Sequence, residues 1–254
     1  MDIFQSKSNL FYKKLIKTSD NLSETVGRPA SFEGEEYKIL DDIHYKMNFE
    51  AGTRFLDVGC GYGYLVLHFL NFAKNNNIEL CLIDIDDVID RIEKDSRFEI
   101  SGIKLIKGVF PDGLSEPIVE TFDYILVYSV LHYTSNPELF IEKLVSILNP
   151  GGILLLGDLP NINRLGRFLL TQYGRKFEAN YKGKDISEIP VYKNNSDFIK
   201  SKKADYNYHI NDELIYGTIR RYRDLGHDVW VSPQPMELPY SNSREDLIIK
   251  KRMD

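Results

Sequence analysis

Cysteine is scarce in this chain: two in 254 residues, Cys60 and Cys81. Neither has a partner at metal-ligating or disulfide spacing, which argues against a stapled secreted scaffold and a zinc module. Both read as small buried residues in a reducing cytosol. Long apolar runs are also missing. None reaches the roughly 18 residues that a membrane span requires. Met1-Asp2-Ile3-Phe4-Gln5 has neither the basic start nor the apolar core of a secretory signal. No internal repeat or low-complexity tract occurs. No constellation of residues at metal-ligating spacing stands out, so the chemistry is expected to be metal-independent. Net charge is −6, which argues against a protein built to coat nucleic acid. What the chain does have is 43% hydrophobic residues, ample for one α/β domain with an insertion or a small cap.

The densest signal is Arg54-Phe55-Leu56-Asp57-Val58-Gly59-Cys60-Gly61-Tyr62-Gly63-Tyr64. An apolar run carries an acid and then breaks into three glycines at alternate positions. Helical spacing follows, with Leu65, Val66, Phe69 and Leu70 on one side. This reads as a buried strand, a tight turn and a helix start. Gly59 and Gly61 permit torsions and a closeness of approach that side chains would block. The helix start offers unpaired N–H groups and a positive dipole end to an anionic group, as in nucleotide-like cofactors. The dinucleotide fingerprint wants its third glycine where Tyr64 stands.

The pattern D-x-G-x-G-x-G resembles motif I of the class I S-adenosylmethionine (SAM) methyltransferases. Four later segments fall where that family would have them. Leu80-Cys81-Leu82-Ile83-Asp84 is a short apolar run ending in an acid, 21 residues after Gly63. A carboxylate there can accept both ribose hydroxyls. Ile103 to Gly108 resembles the third strand, and Phe122 to Tyr128 with Ser129-Val130-Leu131-His132-Tyr133 resembles the fourth strand and its loop. Leu148-Asn149-Pro150-Gly151-Gly152 leading into Ile153 to Leu156 resembles the family's turn and fifth strand. The resemblance implies an α/β, Rossmann-like fold: a seven-stranded, mostly parallel sheet in the order 3-2-1-4-5-7-6. Helices flank it, N-terminal helices lie over the pocket edge, and a cap follows strand five. It implies SAM as cofactor and S-adenosylhomocysteine (SAH) as product. Cofactor contacts are expected from Asp57, Gly59, Cys60, Gly61, Tyr62, Gly63, Asp84, Ile85, Gly108, Val109, Phe110 and Tyr128. Arg28 is expected to hold the methionine carboxylate from the N-terminal lid. The chain departs from the pattern at Val109-Phe110, where many relatives carry an acid toward adenine. Either Asp112 takes that role, or backbone groups and apolar packing do.

Around this core, residues 1–50 read as a helical lid, with Phe4, Leu10, Phe11, Leu15 and Ile16 apolar before a polar break at Thr18 to Asn21. A second helix is expected from about Gly34 to Met47, with Tyr37, Leu40, Ile43 and Met47 on one face and Ile39 beside it. The SAM-binding core takes 51–160. Asn136-Pro137-Glu138 caps a helix inside it, with Leu139, Ile141 and Leu144 among its apolar positions. Residues 161–210 are polar, basic and tyrosine-rich, with a short helix around Leu165 to Leu170 and no regular period after it. They read as a cap over the substrate. Residues 211–254 supply a last helix and strands six and seven. Ten basic and four acidic side chains fall between Asn161 and Lys203, a local positive surplus in an acidic chain.

Methyl transfer from a sulfonium needs alignment of the acceptor and exclusion of water, and alignment can be worth about 7–11 kcal/mol. A hydroxyl acceptor also gains from a base. His132, just past strand four, is the first candidate, then Asp158 at the end of strand five, then His209 in the cap; loop shaping, helix capping and plain surface positions are the alternatives. His68 reads as structural, and His44 sits on the N-terminal helix. Tyr62 and Tyr128 are candidates for stacking on the cofactor. The local basic stretch and separate cap suit a small anionic acceptor, such as a phosphorylated or nucleotide-linked sugar. RNA or protein methylation and a non-catalytic SAM-binding scaffold are the alternatives. No membrane partner is expected, nucleic acid is disfavoured, and a homodimer stays open.

Overall fold

Near-continuous apolar strands need cover on both faces. The computed structural model of the chain, which describes residues 21–28, 30–202, 210–238 and 240–254, supplies that cover. Strand β1 (Arg54–Val58) pairs in parallel with β2 (Glu79–Asp84). Beyond β2 lies β3 (Lys104–Val109), also parallel, and β4 (Gly113–Leu114) folds back on it. On the other side of β1 come β5 (Phe122–Tyr128) and β6 (Leu148–Pro160), both parallel. Strand β7 (Asp228–Pro233) forms the far edge, and β8 (Arg244–Lys250) runs antiparallel between β6 and β7. The order is β4-β3-β2-β1-β5-β6-β8-β7. It is the expected seven-stranded order with one two-residue strand added at the edge. That eighth strand follows from Gly108, whose φ of 127° turns the chain; a Cβ there would lie 2.1 Å from the Gly113 carbonyl oxygen.

Parallel pairing requires crossovers, and helices make them. Helix α1 (Tyr37–Met47) precedes β1; α2 (Tyr64–Asn76) joins β1 to β2, and α3 (Asp86–Lys94) joins β2 to β3. Helix α4 (Pro137–Ser146) joins β5 to β6. Neighbouring strand residues serve opposite layers. Phe55, Leu82, Leu126, Leu155 and Ile248 pack with α1, α2 and α3, while Leu56, Ile83, Ile125, Leu156 and Ile249 pack with α4. Asn136 caps α4 as expected, its side chain accepting from the Leu139 N–H at 3.0 Å. Leu139 itself is exposed, and Phe140 takes the buried position. The strands therefore end together, and their carboxyl edge faces one opening.

Two expectations fail here for physical reasons. Tyr37 is 47% exposed, whereas Ile39, Ile43 and Met47 are buried along with Asp42. An ion cluster rotates the buried face of α1. Lys46 Nζ lies 2.5 Å from Asp42 Oδ2 and 2.7 Å from Asp246 Oδ2 on β8, with all three side chains buried. The short helix expected around Leu165 is α5 (Ile162–Leu169), and the stretch after it, read as lacking a period, forms two more, α6 (Gln172–Lys182) and α7 (Asn195–Lys202). Each is too short for a period to show, and side-chain caps set two of the starts. Asn161 accepts from Asn163 N and Arg164 N, and Thr171 accepts from Gly174 N. Gly166 lets α5 meet α7, since a Cβ there would lie 1.9 Å from Asn195 Oδ1. Helix α8 (Asp212–Asp224) then leads into β7, capped by Asn211. The helix expected before residue 18 lies outside the described residues, as do Tyr206, Tyr208 and His209.

Burial raises the carboxyls of Asp42 and Asp246, the latter to about 6, and Lys46 pulls both back. Lys46→Met would leave two buried carboxylates without a cation. It is expected to lower the unfolding free energy by about 3–5 kcal/mol, read as a lower urea midpoint. An unchanged midpoint would show that the cluster does not hold α1 to the sheet.

Candidate active site

The site begins where β1 ends. Gly59 and Gly61 have φ of 75° and 69°, in the left-handed region that side chains avoid. Both are also pressed by neighbours. A Cβ on Gly59 would lie 2.4 Å from Val130 Cγ2, and one on Gly61 would lie 2.8 Å from Val26 Cγ1. Val130 comes from the loop after β5, and Val26 from a 3₁₀ turn (Glu24–Val26) of the N-terminal segment. That segment is latched to the turn. Thr25 Oγ1 donates to the Tyr62 carbonyl at 2.5 Å, and buried Ser23 donates to Glu36. The start of α2 has no side-chain cap at Gly63, so its first N–H groups are left for another partner.

Asp84 closes the floor of the turn. Its Oδ2 accepts from Gly61 N at 2.7 Å, and its Oδ1 accepts from Ile85 N at 2.7 Å. A carboxylate with two acceptor sites so engaged keeps lone pairs for hydroxyl donors. Asp57, 3% exposed, lies close enough for the two carboxyls to interact. Burial, and secondarily the Asp84 charge, pushes Asp57 up to about 8. Burial also raises Asp84 to about 6, against the pull of its two N–H donors.

One cavity runs along this edge. Asp57, Gly59, Cys60, Gly61, Tyr62 and Gly63 form its first wall, with Asp84 and Ile85 below. Gly108, Val109 and Phe110 line the far end, and Tyr128 and Arg28 line the near end. All thirteen residues expected to contact a cofactor thus border a single space. Twelve others border it that were not expected to contact a cofactor, among them Thr25, Val26, Tyr133, Thr134 and Phe140. Phe140 was passed over because the apolar positions read on α4 began at Leu139, which the fold leaves exposed. Asp112 is exposed and does not border the cavity. The far end is apolar instead, walled by Ile85, Val88, Phe110 and Phe140.

Individual side chains depart from expectation. The Tyr62 ring is committed to the fold rather than free to stack on a ligand. Its hydroxyl bonds to Asp95 and accepts from Arg97 Nη2 at 2.7 Å, and the Arg91 guanidinium lies 4.2 Å from its ring centroid. The Tyr128 hydroxyl accepts from Gln234 Nε2 at 3.2 Å, and Gln234 also donates to Asp246 Oδ1 at 3.2 Å. His132 does not border the cavity; its ring lies against Tyr133, which does, at 4.0 Å between centroids. Burial, then the Arg244 charge, pushes His132 down to about 3. At neutral pH it is an uncharged imidazole whose protonation is disfavoured. Asp158 sits at the end of β6, also outside the cavity lining, with Arg244 Nη1 3.6 Å from its Oδ2. His44 packs on Phe72 at 4.2 Å between α1 and α2, a structural position. Among the described residues no group of three metal-ligating side chains occurs, and no helix is long and apolar enough to cross a membrane.

The parallel sheet with a glycine turn at the end of β1 and an acid at the end of β2 defines a class of nucleotide-cofactor domains. Residues 56–154 match the model of a methyltransferase domain family. That segment belongs to the SAM-dependent methyltransferase domains of the Rossmann-like class I fold. An uncharacterized protein of Methanocaldococcus jannaschii is 32% identical over 143 residues, 52% of this chain and 62% of its own length. The 27-O-demethylrifamycin SV methyltransferase of Amycolatopsis mediterranei is 25% identical over 51% of this chain and 47% of its own. The chain spans about half the length of these curated relatives. The N-methyltransferase NodS of Bradyrhizobium japonicum, crystallised with SAH, shares the fold at 14% identity and a TM-score of 0.54. That match covers 98% of this chain and 99% of NodS.

Asp57 keeps its proton to about pH 8 in the fold but only to about pH 4 in an unfolded chain. The folded state binds the extra proton between those values, so the ligand-free protein should lose stability as pH rises through that window. Asp57→Asn removes the effect. Urea midpoints measured at several pH values across the window should fall in the parent chain and stay flatter in the variant. Equal slopes would locate the proton elsewhere.

Proposed function

We propose that this chain is a SAM-dependent methyltransferase acting on a small-molecule acceptor. The observation that carries the reading is the single cavity bordered by the glycine turn, Asp84 and the uncapped start of α2. In this reading Asp84 receives the ribose hydroxyls, and Asp57 lies toward the cationic end of the ligand. The apolar wall of Val88, Phe110 and Phe140 takes the adenine. Arg28 and Tyr128 lie at the methionine end, where they interact electrostatically with each other. Bound SAM supplies an electrophilic methyl group on a positive sulfur. The chain's own work is to exclude water, hold the acceptor in line and receive a proton where the acceptor has one.

The acid–base environment alters the choice of base. An imidazole held at about 3 is a weak proton acceptor at neutral pH. We therefore assign proton removal from a hydroxyl acceptor to Asp158, whose side chain is 15% exposed, and keep His132 as a neutral hydrogen-bonding group. A hydroxyl of a phosphorylated or nucleotide-linked sugar is the acceptor class that the local positive charge favours.

Calorimetry should find SAM and SAH bound and NAD not bound. Asp84→Asn should weaken SAH by about tenfold or more. Release of SAH over a panel of phosphorylated and nucleotide-linked sugars then identifies the acceptor. Against it, Asp158→Asn should lower kcat by about 10²–10⁴-fold with SAH affinity intact. Tight capture of NAD, or no adenosyl ligand at all, would overturn the reading.

A further inference from the structure

Five non-glycine residues have positive φ among the described residues: Asn48, Asn77, Ser129, Asp158 and Tyr240. The two asparagines end helices α1 and α2, a place where Asn is at home. The other three gather at one spot. Ser129 N donates to the Gly157 carbonyl at 3.0 Å, and Asp158 follows Gly157 in the chain. Arg244 then links Asp158 to Tyr240. Its Nη1 donates to the Asp158 carbonyl at 3.0 Å, and its guanidinium lies 5.7 Å from the Tyr240 ring centroid. Backbone held in sparsely populated conformations clusters at functional sites, because the surroundings must over-determine it.

A second observation falls on the same spot. The Nδ1 atom of His132 is buried and has no hydrogen-bond partner among the described residues. Arg244 is the charge that acts on this imidazole. Buried polar atoms are nearly always satisfied, so this orphan calls for a missing partner. Tyr181, on α6 of the cap, hydrogen-bonds the Tyr240 side chain. The cluster adjoins the cofactor cavity, since Ser129, Tyr128 and Tyr133 border both.

The arginines of the cap are engaged in the fold. Arg167 bonds to Asp212, Arg175 to the carbonyls of Ile186 and Ile189, and Lys182 to Glu178. Arg244 differs. Its one hydrogen bond among the described residues goes to a carbonyl, and the Asp158 carboxylate stands off at 3.6 Å. Asp158 orients the guanidinium without saturating its five donors.

We propose that Arg244 and the Nδ1 of His132 form the recognition site for an oxyanion group of the methyl acceptor, a phosphate or a carboxylate, with Asp158 orienting the guanidinium. A planar guanidinium fork suits either oxyanion, and a neutral imidazole N–H adds a donor without a competing charge. This inference rests on the methyltransferase reading. It moves anion recognition from the basic cap, where the sequence suggested it, to the first residue of β8.

The test uses the SAH-loaded protein with isotope-labelled histidine and follows the ring resonances by NMR. The His132 signal is assigned by its loss in His132→Gln. Inorganic phosphate is titrated in one arm and acetate in the other, at constant ionic strength. At least one should shift the His132 signal saturably, and the responding arm tells a phosphorylated acceptor from a carboxylated one. Arg244→Gln should weaken that response by about tenfold or more, and Arg244→Lys should retain part of it, having charge without the fork. SAH affinity in both variants should match the parent. No saturable shift in either arm, or an equal response in Arg244→Gln, overturns the proposal. Failure of SAH itself to bind would instead strike the cofactor reading.

Discussion

Steric closeness at the glycine turn organises the molecule. Val130 and Val26 occupy the space that side chains at positions 59 and 61 would fill. The first contact draws the loop after β5 over the end of β1, and the second draws the N-terminal segment over the start of α2. Without them the strand ends would open onto a flat edge. With them the edge becomes a cavity with two walls and a roof.

Electrostatics then makes that cavity selective. Two carboxyls on adjacent strands, buried Asp57 and half-buried Asp84, lie within reach of each other, and both are held above the ordinary carboxylate range. Such an arrangement is costly in an empty protein and favours a ligand bringing hydroxyl donors or positive charge. A second buried acidic group lies behind the near end. Asp246 meets Lys46 on one side, and on the other meets the Asp158 N–H and Gln234, which in turn reaches the Tyr128 hydroxyl. One polar chain therefore runs from helix α1 through β8 to a residue bordering the cavity. It orients Tyr128 and the strained backbone at Asp158 together.

Legibility varied with the range of the interaction. The turn after β1, the acid ending β2 and the Asn136 cap depend on neighbours a few residues away, and they could be read directly. The cap helices α6 and α7 could not, because each is short and the core of the cap is only Ile162, Leu169 and Phe198 with a few flanking side chains. Tyr62 looked like a stacking residue by position, yet Asp95 and Arg97, more than 30 residues away, claim its hydroxyl. Arg244 gave no sign in the chain. Its significance comes from His132, Asp158 and Tyr240, which only the packed sheet assembles.

Local chemistry along the chain settled the fold class and the cofactor edge. Backbone torsion, strand alternation and capping are decided within a few residues, and those are what a linear reading can weigh. Folding in three dimensions decided the rest: which face of α1 is buried, where the cap's arginines bond, how His132 loses its basicity, and which side chains gather around Arg244. Each of these turns on burial and on the field of distant charges. Both arise only when strands separated by a hundred residues lie side by side.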